Sequence, residues 1–277
     1  MLHVISSLLA VAGSLTSPST PARVASPPPV ITVHAKDFSF VAPKSIKSGT
    51  STWHLVNDGK ELHHLSIVKL DNGKTVADFT AFLKNPGPPP TWAHDVGGPN
   101  PALPGGSVDA TLTLEPGNYF VMCVINSPGD PMPHAMKGMI SPLTVLPEKT
   151  KGVEPVPDVT IRTSDYSFAL SKPLTAGHHV IGVANDAAQS HEVVIIELPP
   201  GKTIQNMSDW VYKDAMKGPP PGKPIGGMAA FEKGRTGSFP INLKPGRYGM
   251  ICFVPDAKDG KGHATKGMVK EFTIAAK

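Results

Sequence analysis

The chain has 277 residues, of which 40% are hydrophobic, enough to build the cores of two domains of ordinary size. Charged residues make up only 17%, while 27 glycines and 31 prolines favour short strands joined by turns over long helices. The formal net charge of +4 is mild, and no basic stripe with interleaved aromatic residues occurs, which excludes nucleic acid as a partner.

An apolar stretch, MLHVISSLLAVAGSL, opens the chain and is followed by a Ser- and Pro-rich stretch. It is too short to cross a bilayer core of about 30 Å as a helix, and no other segment approaches that length, so no stable membrane span is expected. The stretch fits the hydrophobic region of a secretory signal, although no Lys or Arg precedes Arg23. Residues 1–26 are therefore predicted to be a signal peptide or a disordered N-terminus. A signal would place the protein outside the cytoplasm, either periplasmic or secreted.

Two long segments of the chain align with each other. One begins ITVHAKDFSF and the other VTIRTSDYSF, with Asp37 matching Asp165 at an offset of 128, and later PGNYFVMC matches PGRYGMIC at an offset of 129. A repeat of this size indicates a tandem duplication of whole domains. The predicted domains are residues 27–147 and 156–277, joined by a polar, Pro-bearing linker.

Each copy carries the same series of short β-rich runs bounded by Gly, Pro and Asn, such as STWHLVND and HLSIVKL in the first. One stretch per copy breaks this pattern with apolar residues near helical spacing, residues 75–85 and 203–218. The sequence therefore predicts an all-β fold of two antiparallel, Greek-key β-sandwiches. Each would have seven or eight strands in two face-to-face sheets and one short helix.

Each copy also ends with a cysteine, a histidine and a methionine at identical spacing, in CVINSPGDPMPHAMKGM and CFVPDAKDGKGHATKGM. These residues are Cys123, His134 and Met139 in the first copy, and Cys252, His263 and Met268 in the second. Upstream, on the predicted strand after Asn-Asp, lie His63 in the first copy and His191 in the second. Two copies with the same spacing indicate a shared role beyond packing.

The choice between the adjacent His63 and His64 follows from strand geometry. Side chains alternate between the two faces of a strand, so His63 shares the face of Leu65, whereas His64 shares that of Ser66. A ligand between the two sheets must lie on the apolar face. The repeat also aligns His63 with His191, so His63 is the predicted ligand.

These residue types fit one metal site well. A thiolate and two imidazoles in a trigonal arrangement, with a long, weak thioether contact, form the blue-copper site, which holds both Cu(I) and Cu(II). The order of residues resembles the cupredoxin family, to which plastocyanin belongs, over nearly everything after residue 30. The resemblance implies a tandem form with up to one copper per domain. The implied ligands are His63, Cys123, His134 and Met139, and then His191, Cys252, His263 and Met268.

Two features depart from that family pattern. The Cys-to-His spacing is longer than in plastocyanin or azurin, although copper nitrite reductases also have a long loop here. Oxidases and nitrite reductases place a His beside the ligand Cys, whereas Cys123 is flanked by Met122 and Val124, and no H-x-H pair occurs in the chain. The sequence therefore predicts no enzyme but a single-electron carrier between redox partner proteins. The loop imidazoles His134 and His263 are expected to lie nearest the surface.

Other interpretations stay open at this point. The protein can also be a copper-buffering or copper-carrying protein without electron transfer, or a metal-free cupredoxin scaffold used as an interaction module. Cys plus two His can hold zinc, although a thioether in the fourth position favours copper. A disulfide between Cys123 and Cys252 is disfavoured, because the repeat gives each thiol a role within its own copy.

Overall fold

The computed structural model describes residues 26–85, 87 and 89–276. The predicted leader, residues 1–26, lies outside this range except for its last residue. The described chain is almost entirely β-structure with two α-helices, so the predicted all-β fold class is confirmed. None of its helices combines the length and the apolar character needed to cross a membrane.

The first half of the fold, residues 30–149, contains eight strands and one helix. The strands are β1 (Val30–Lys36), β2 (Ser39–Val41), β3 (Ser45–Asn57), β4 (Ser66–Leu70), β5 (Ala93–Gly97), β6 (Ser107–Leu114), β7 (Gly117–Met122) and β8 (Ile140–Lys149), with helix α1 (Val76–Lys84) between β4 and β5.

The second half, residues 159–274, repeats the series element by element. Its strands are β9 (Val159–Ser164), β10 (Ser167–Leu170), β11 (Gly177–Asn185), β12 (His191–Leu198), β13 (Lys223–Phe231), β14 (Thr236–Leu243), β15 (Gly246–Ile251) and β16 (Val269–Ile274), with helix α2 (Ile204–Tyr212) between β12 and β13.

Helix α1 occupies the stretch predicted for it, but α2 is shorter than the predicted 203–218. Beyond its C-cap at Lys213, Ala215 and Met216 adopt positive φ angles of 50° and 59°. A right-handed helix cannot continue through residues in this conformation, since L-amino acids clash with their own carbonyls there. Residues 213–218 instead form a loop that reaches the first half, where the Gly129 N–H donates to the Ala215 carbonyl at 2.7 Å.

Each helix covers the outer face of the sheet beside it. Helix α1 packs Phe79 onto Val68 and Phe120, and α2 packs Trp210 onto the strands that carry Val194. Strands β4 and β12 therefore have apolar neighbours on both faces, which explains their nearly continuous runs of buried residues. A Thr–Asp capping box starts α1, with Thr75 and Asp78 satisfying each other's backbone N–H groups.

The strands form two sheets that run through both halves. One sheet has the order β2-β1-β3-β6-β14-β11-β9-β10, and the other has the order β8-β7-β4-β5-β13-β12-β15-β16. Strand β3 contributes to both, because it turns at Gly49, whose φ of +96° suits glycine. The two predicted β-sandwiches are both present, and each sheet continues from one sandwich into the other.

Equivalent strands meet at the centre of each sheet. Val96 of β5 pairs with Phe231 of β13, and β6 pairs with β14. An isolated bridge joins Pro99 to Met228, positions that differ by the repeat offset of 129. Contacts between equivalent positions are the mark of a two-fold relation, so the halves associate as the subunits of a symmetric dimer do.

One apolar cluster fills the space between the sheets in both halves. Its members include large, fully buried side chains such as Trp53 and Phe239. Met228, at the junction, packs within the same cluster and accepts a hydrogen bond at Sδ from the Gly98 N–H at 3.4 Å. The predicted cysteine and methionine ligands of both copies belong to this cluster as well.

Candidate metal centre

Three predicted ligands of the first half converge on one buried point. The Nδ1 atoms of His63 and His134 lie 3.1 Å apart, and Cys123 Sγ lies 4.0 Å from the first and 3.5 Å from the second. All three side chains are 0% exposed. We call these residues the first cluster.

The second half reproduces this arrangement with His191, Cys252 and His263, the second cluster. Its two Nδ1 atoms are 3.0 Å apart, and Cys252 Sγ lies 3.9 Å and 3.5 Å from them. These residues are also 0% exposed. Each trio offers a sulfur and two nitrogens within 4.8 Å of one another, as a single metal ion requires. Cys123 and Cys252 are both free thiols.

The loop between the cysteine and the histidine is closed by backbone hydrogen bonds. Cys123 follows the end of β7, and a 3₁₀ turn, His134–Lys137, places the imidazole beside it. The Cys123 N–H donates to the Met139 carbonyl at 3.1 Å, and the Met139 N–H donates to the His134 carbonyl at 2.9 Å. An isolated β-bridge pairs Asn126 with Pro133 and brings the two ends of the long loop together. Cys123 and His134 therefore stay close despite the length of the loop between them.

The same bonds recur around Cys252. Its N–H donates to the Met268 carbonyl at 3.2 Å, and the Met268 N–H donates to the His263 carbonyl at 3.0 Å. Met139 and Met268 are both 0% exposed and share the apolar cluster of the cysteines. The backbone thus brings each predicted methionine beside its trio of donors.

A buried asparagine fixes the approach to each upstream histidine. Asn57 Nδ2 donates to the Glu61 and Ala102 carbonyls, both at 2.8 Å. Asn185 does the same at 2.8 Å to the carbonyls of the matching residues, Gln189 and Phe231. The turn before each upstream histidine is therefore held in the same way in both halves.

Carboxylates orient the upstream imidazoles from behind. His63 Nε2 lies 3.0 Å from Asp37 Oδ1, and His191 Nε2 lies 3.2 Å from Asp165 Oδ1. A carboxylate at Nε2 keeps the ring proton there, which leaves the Nδ1 lone pair facing the cysteine. The repeat matches these aspartates, but sequence reasoning missed their role, since only the folded β1–β2 and β9–β10 hairpins bring them to the histidines.

The electrostatics of both clusters favour neutral side chains when no cation is present. Burial raises the pKa of Cys123 to about 12 and also raises that of Cys252. Burial also lowers the pKa of His63, His134 and His191, and lowers that of His263 to about 4, where a neighbouring imidazole adds to the effect. Neutral imidazoles can bind a cation, and a cation is what would compensate a buried thiolate.

The residues after the upstream histidines, His64 and Glu192, contact the backbone that follows each cysteine. His64 Nε2 accepts from the Val124 N–H at 3.3 Å. The equivalent Glu192 accepts from the Phe253 N–H at 2.7 Å and from Asn100 Nδ2, in the first half, at 2.8 Å. Both therefore support the chain next to the cysteine and lie outside the trio of donors.

An aromatic side chain covers each loop histidine. The ring of Phe38 packs edge-on to His134 at 5.2 Å, and Tyr166 packs likewise on His263 at 5.4 Å. Phe38 and Tyr166 have positive φ angles of 65° and 63°, a rare conformation for such bulky residues. Beneath these rings His134 and His263 are 0% exposed, as the upstream histidines are.

The donor set fits copper. A soft sulfur, two imidazole nitrogens and an adjacent methionine suit both oxidation states of that metal. The two buried His–Cys–His groups support copper as the cofactor, up to one ion per half. The cupredoxin-like fold expected from the sequence is likewise confirmed in the β-sandwich that surrounds each group.

In comparisons with known proteins, no family model and no curated protein matches the chain. Solved structures do match it. Auracyanin from Roseiflexus castenholzii is 23% identical, with a TM-score of 0.29 over 44% of this chain and 100% of its own. Auracyanin A, a blue copper protein from Chloroflexus aurantiacus, is 20% identical, with a TM-score of 0.31 over 43% and 99%. Each of these two matches covers nearly the whole of the matched protein and less than half of this chain.

Three further matches, each covering most of this chain, are to copper enzymes. The blue copper oxidase of Nitrosomonas europaea is 16% identical, with a TM-score of 0.26 over 88% of this chain and 85% of its own. A multicopper oxidase and a copper-containing nitrite reductase also match. The prediction that the chain is no enzyme is corrected by this finding. That prediction rested on the missing His beside each ligand cysteine.

Proposed function

We propose that this is an exported copper protein with two type 1 copper sites that transfers single electrons between redox partner proteins. The observation that carries the proposal is the convergence of one sulfur and two Nδ1 atoms, fully buried, at equivalent points of both halves. We further propose that residues 27–147 and 156–277 are the two domains, each holding one copper.

The ligand roles follow from the donor atoms. Copper bound at each cluster would supply one-electron exchange between Cu(I) and Cu(II). The cysteines would be thiolate ligands, the histidines Nδ1 ligands and the methionines weak axial ligands. The two sets are His63, Cys123, His134 and Met139, and His191, Cys252, His263 and Met268.

Rigid, dry surroundings support electron transfer over metal storage. The backbone bonds between Cys123, His134 and Met139 fix the ligand loop, and Asp37 fixes the remaining imidazole. Ligands that are already in place move little between the two oxidation states, which favours fast electron exchange. Burial of all the donors also keeps water from competing for the metal.

Export is proposed from the apolar N-terminal stretch and its Ser- and Pro-rich continuation. The partners are proposed to be redox proteins of the same compartment. N-terminal sequencing of the protein recovered from the extracytoplasmic fraction tests this. A shortened N-terminus is expected, whereas recovery of the uncleaved chain in the cytoplasm would contradict export.

The copper proposal is tested with the full chain loaded with Cu(II). We expect one copper per cluster, an intense visible band from thiolate-to-Cu(II) charge transfer, and reversible bleaching by ascorbate with recovery by ferricyanide. The double variant Cys123→Ser/Cys252→Ser is the control and should lose the band. A protein that stays pale and holds only Cu(I) would indicate buffering, and a wild-type chain that binds no more copper than the control would overturn the proposal.

A further inference from the structure

We propose that the two clusters hold copper at different reduction potentials, the second cluster at the higher one, and that Glu61 sets the difference. The inference rests on the proposed function, since it requires copper at both clusters. Its basis is that the two clusters match in donor geometry, in burial and in the partner of the upstream histidine, but differ in the partner of the loop histidine. The exchange of His64 for Glu192 lies outside the trio of donors, where Glu192 accepts from the Phe253 N–H and from Asn100 Nδ2.

The inner donors match closely. The separation of the two Nδ1 atoms is 3.1 Å in the first cluster and 3.0 Å in the second. The cysteine sulfur lies 3.5 Å from the loop histidine in both. Burial is equally complete, and an aromatic ring covers each loop histidine. Ligand geometry and water access therefore give no reason for the potentials to differ.

The upstream histidines match as well. Each Nε2 faces an aspartate, at 3.0 Å from Asp37 in the first half and 3.2 Å from Asp165 in the second. The asparagine bonds that fix the preceding turn have the same length in both halves. The backbone of residue 61 is therefore held as that of residue 189 is, and only the side chains differ.

The loop histidine of the first cluster has a carboxylate partner. His134 Nε2 lies 2.9 Å from Glu61 Oε2, with Ser127 Oγ at 3.4 Å. The nearby ammonium group of Lys137 binds Ser127 Oγ at 2.6 Å and Asp130 at 2.7 Å. Glu61 thus directs its charge at the imidazole N–H.

The second cluster lacks this bond. Gln189 replaces Glu61, and the buried Nε2 of His263 has no hydrogen-bond partner in the part of the chain that the structure describes. The nearest carboxylate, Asp256, lies 3.9 Å away, too far for a hydrogen bond.

Asp256 is engaged elsewhere. Its carboxylate accepts from the Tyr166 hydroxyl, from Gln189 Nε2 at 3.2 Å and from the Lys258 N–H at 2.9 Å. Lys266 Nζ lies 3.4 Å from its other oxygen. An ammonium group and three donors offset the negative charge that His263 would otherwise feel. The second half therefore has a carboxylate near its loop histidine but not one that accepts the ring proton.

This contrast has a definite redox consequence. A carboxylate that accepts the Nε2–H makes the imidazole a stronger electron donor at Nδ1, and its charge favours the more positive metal ion. Glu61 therefore stabilises Cu(II) over Cu(I) in the first cluster, which lowers its potential. The second cluster, without that bond, takes up the first electron. Each site exchanges one electron with a chemical mediator, and no ligand bond is made or broken.

The test is a potentiometric titration of the copper-loaded full chain with ferricyanide and ascorbate as mediators. We expect two one-electron waves in the charge-transfer band. Cys252→Ser should retain only the lower wave, and Cys123→Ser only the higher. A single wave in the wild type, or the reverse assignment, would overturn the inference. Absence of the band would instead mean that the proposed function has failed.

Two exchanges of residues assign the cause. Glu61→Gln should raise the potential of the first cluster and close most of the gap. The pair Gln189→Glu/Asp256→Ser, which gives the second half the residues of the first, should lower that of the second. Glu148→Gln, an exposed change of the same chemistry, is the control for net charge and should move neither wave. An unchanged first wave in Glu61→Gln would show that Glu61 plays no part.

Discussion

The two metal clusters agree where they face the metal and differ where they face away from it. Donor-atom separations agree within about 0.1 Å between the halves. The residues behind the ligands differ at equivalent positions of the two halves: Glu61 corresponds to Gln189, Ser127 to Asp256 and His64 to Glu192. Metal binding constrains the inner atoms to one geometry, whereas the outer atoms can vary and so can give each site its own properties.

The largest effect is expected from removing one ligand sulfur. Cys123→Ser should eliminate copper from the first cluster only, and Cys252→Ser from the second only, each with the loss of one copper per chain. Metal analysis together with the visible band measures both. If either substitution empties both clusters, the two sites are not the independent copies that this comparison assumes.

A substitution at the junction tests whether the halves form one folding unit. Met228→Ala leaves a cavity in the shared core, where Met228 is 1% exposed, so we expect it to cost about 2–5 kcal/mol of unfolding free energy. Because the core is continuous, both halves should unfold in a single, shifted denaturant transition. Two separate transitions, with only one shifted, would contradict a shared core.

The aspartates behind the upstream histidines should have similar effects in the two halves. Asp37→Ala and Asp165→Ala each remove a carboxylate from a ligand imidazole, so we expect copper affinity to fall about 10–100-fold at the altered site. The larger loss should follow Asp37→Ala, because Asp37 also accepts the N–H groups of Lys60 and Glu61.

Competition with a copper chelator measures this affinity. Asp58→Ala, which removes a histidine–aspartate pair of the first half away from the cluster, is the matched control and should leave affinity unchanged. An unaltered copper affinity in both Asp37→Ala and Asp165→Ala would show that these carboxylates do not orient the ligand imidazoles.

The smallest effect is expected at the surface of the junction. His94 lies between Asp71, at 3.1 Å, and Glu232 of the second half, at 3.0 Å. Burial opposes protonation, but these carboxylates outweigh it and raise the pKa of His94. A histidine whose pKa is higher in the folded state stabilises the fold fully at a pH below its unfolded pKa of about 6.5. That stabilisation is lost as the pH rises through the folded pKa.

Since the His94 side chain is 31% exposed, solvent screening keeps this contribution to about 0.5 kcal/mol. Urea unfolding between pH 5 and pH 9 should show it as a small decline in stability above neutrality. Glu232→Gln should flatten that decline. An unchanged pH profile in the variant would mean that this pair does not couple the halves.

The sequence was most informative about the residues that supply the donor atoms of the two clusters. Identical spacing of Cys, His and Met in two copies located the metal end, and strand alternation separated His63 from His64. Both follow from local rules, namely the repeat and the two-residue period of a strand. Helix α1 was also predicted from a local rule, the helical spacing of its apolar residues, and it lies within the predicted stretch.

Long-range contacts account for what was missed. The end of α2 depends on a loop that meets Gly129 of the other half, and the burial of His134 depends on Phe38, almost one hundred residues away. The shared sheets depend on a few strand pairs between equivalent edges. None of these contacts has a local sequence pattern, so none could be predicted from one chain.

The two-fold junction also bears on what either copy would do alone. Without its neighbour, a single copy would leave the edges of β5 and β6 unpaired and an apolar surface open to water. Such edges invite pairing with a second molecule, and the best-fitting surface would be the same one on an identical copy. A polypeptide severed within 150–158 should therefore yield fragments that self-associate through the edges of β5 and β6 or of their counterparts in the second half.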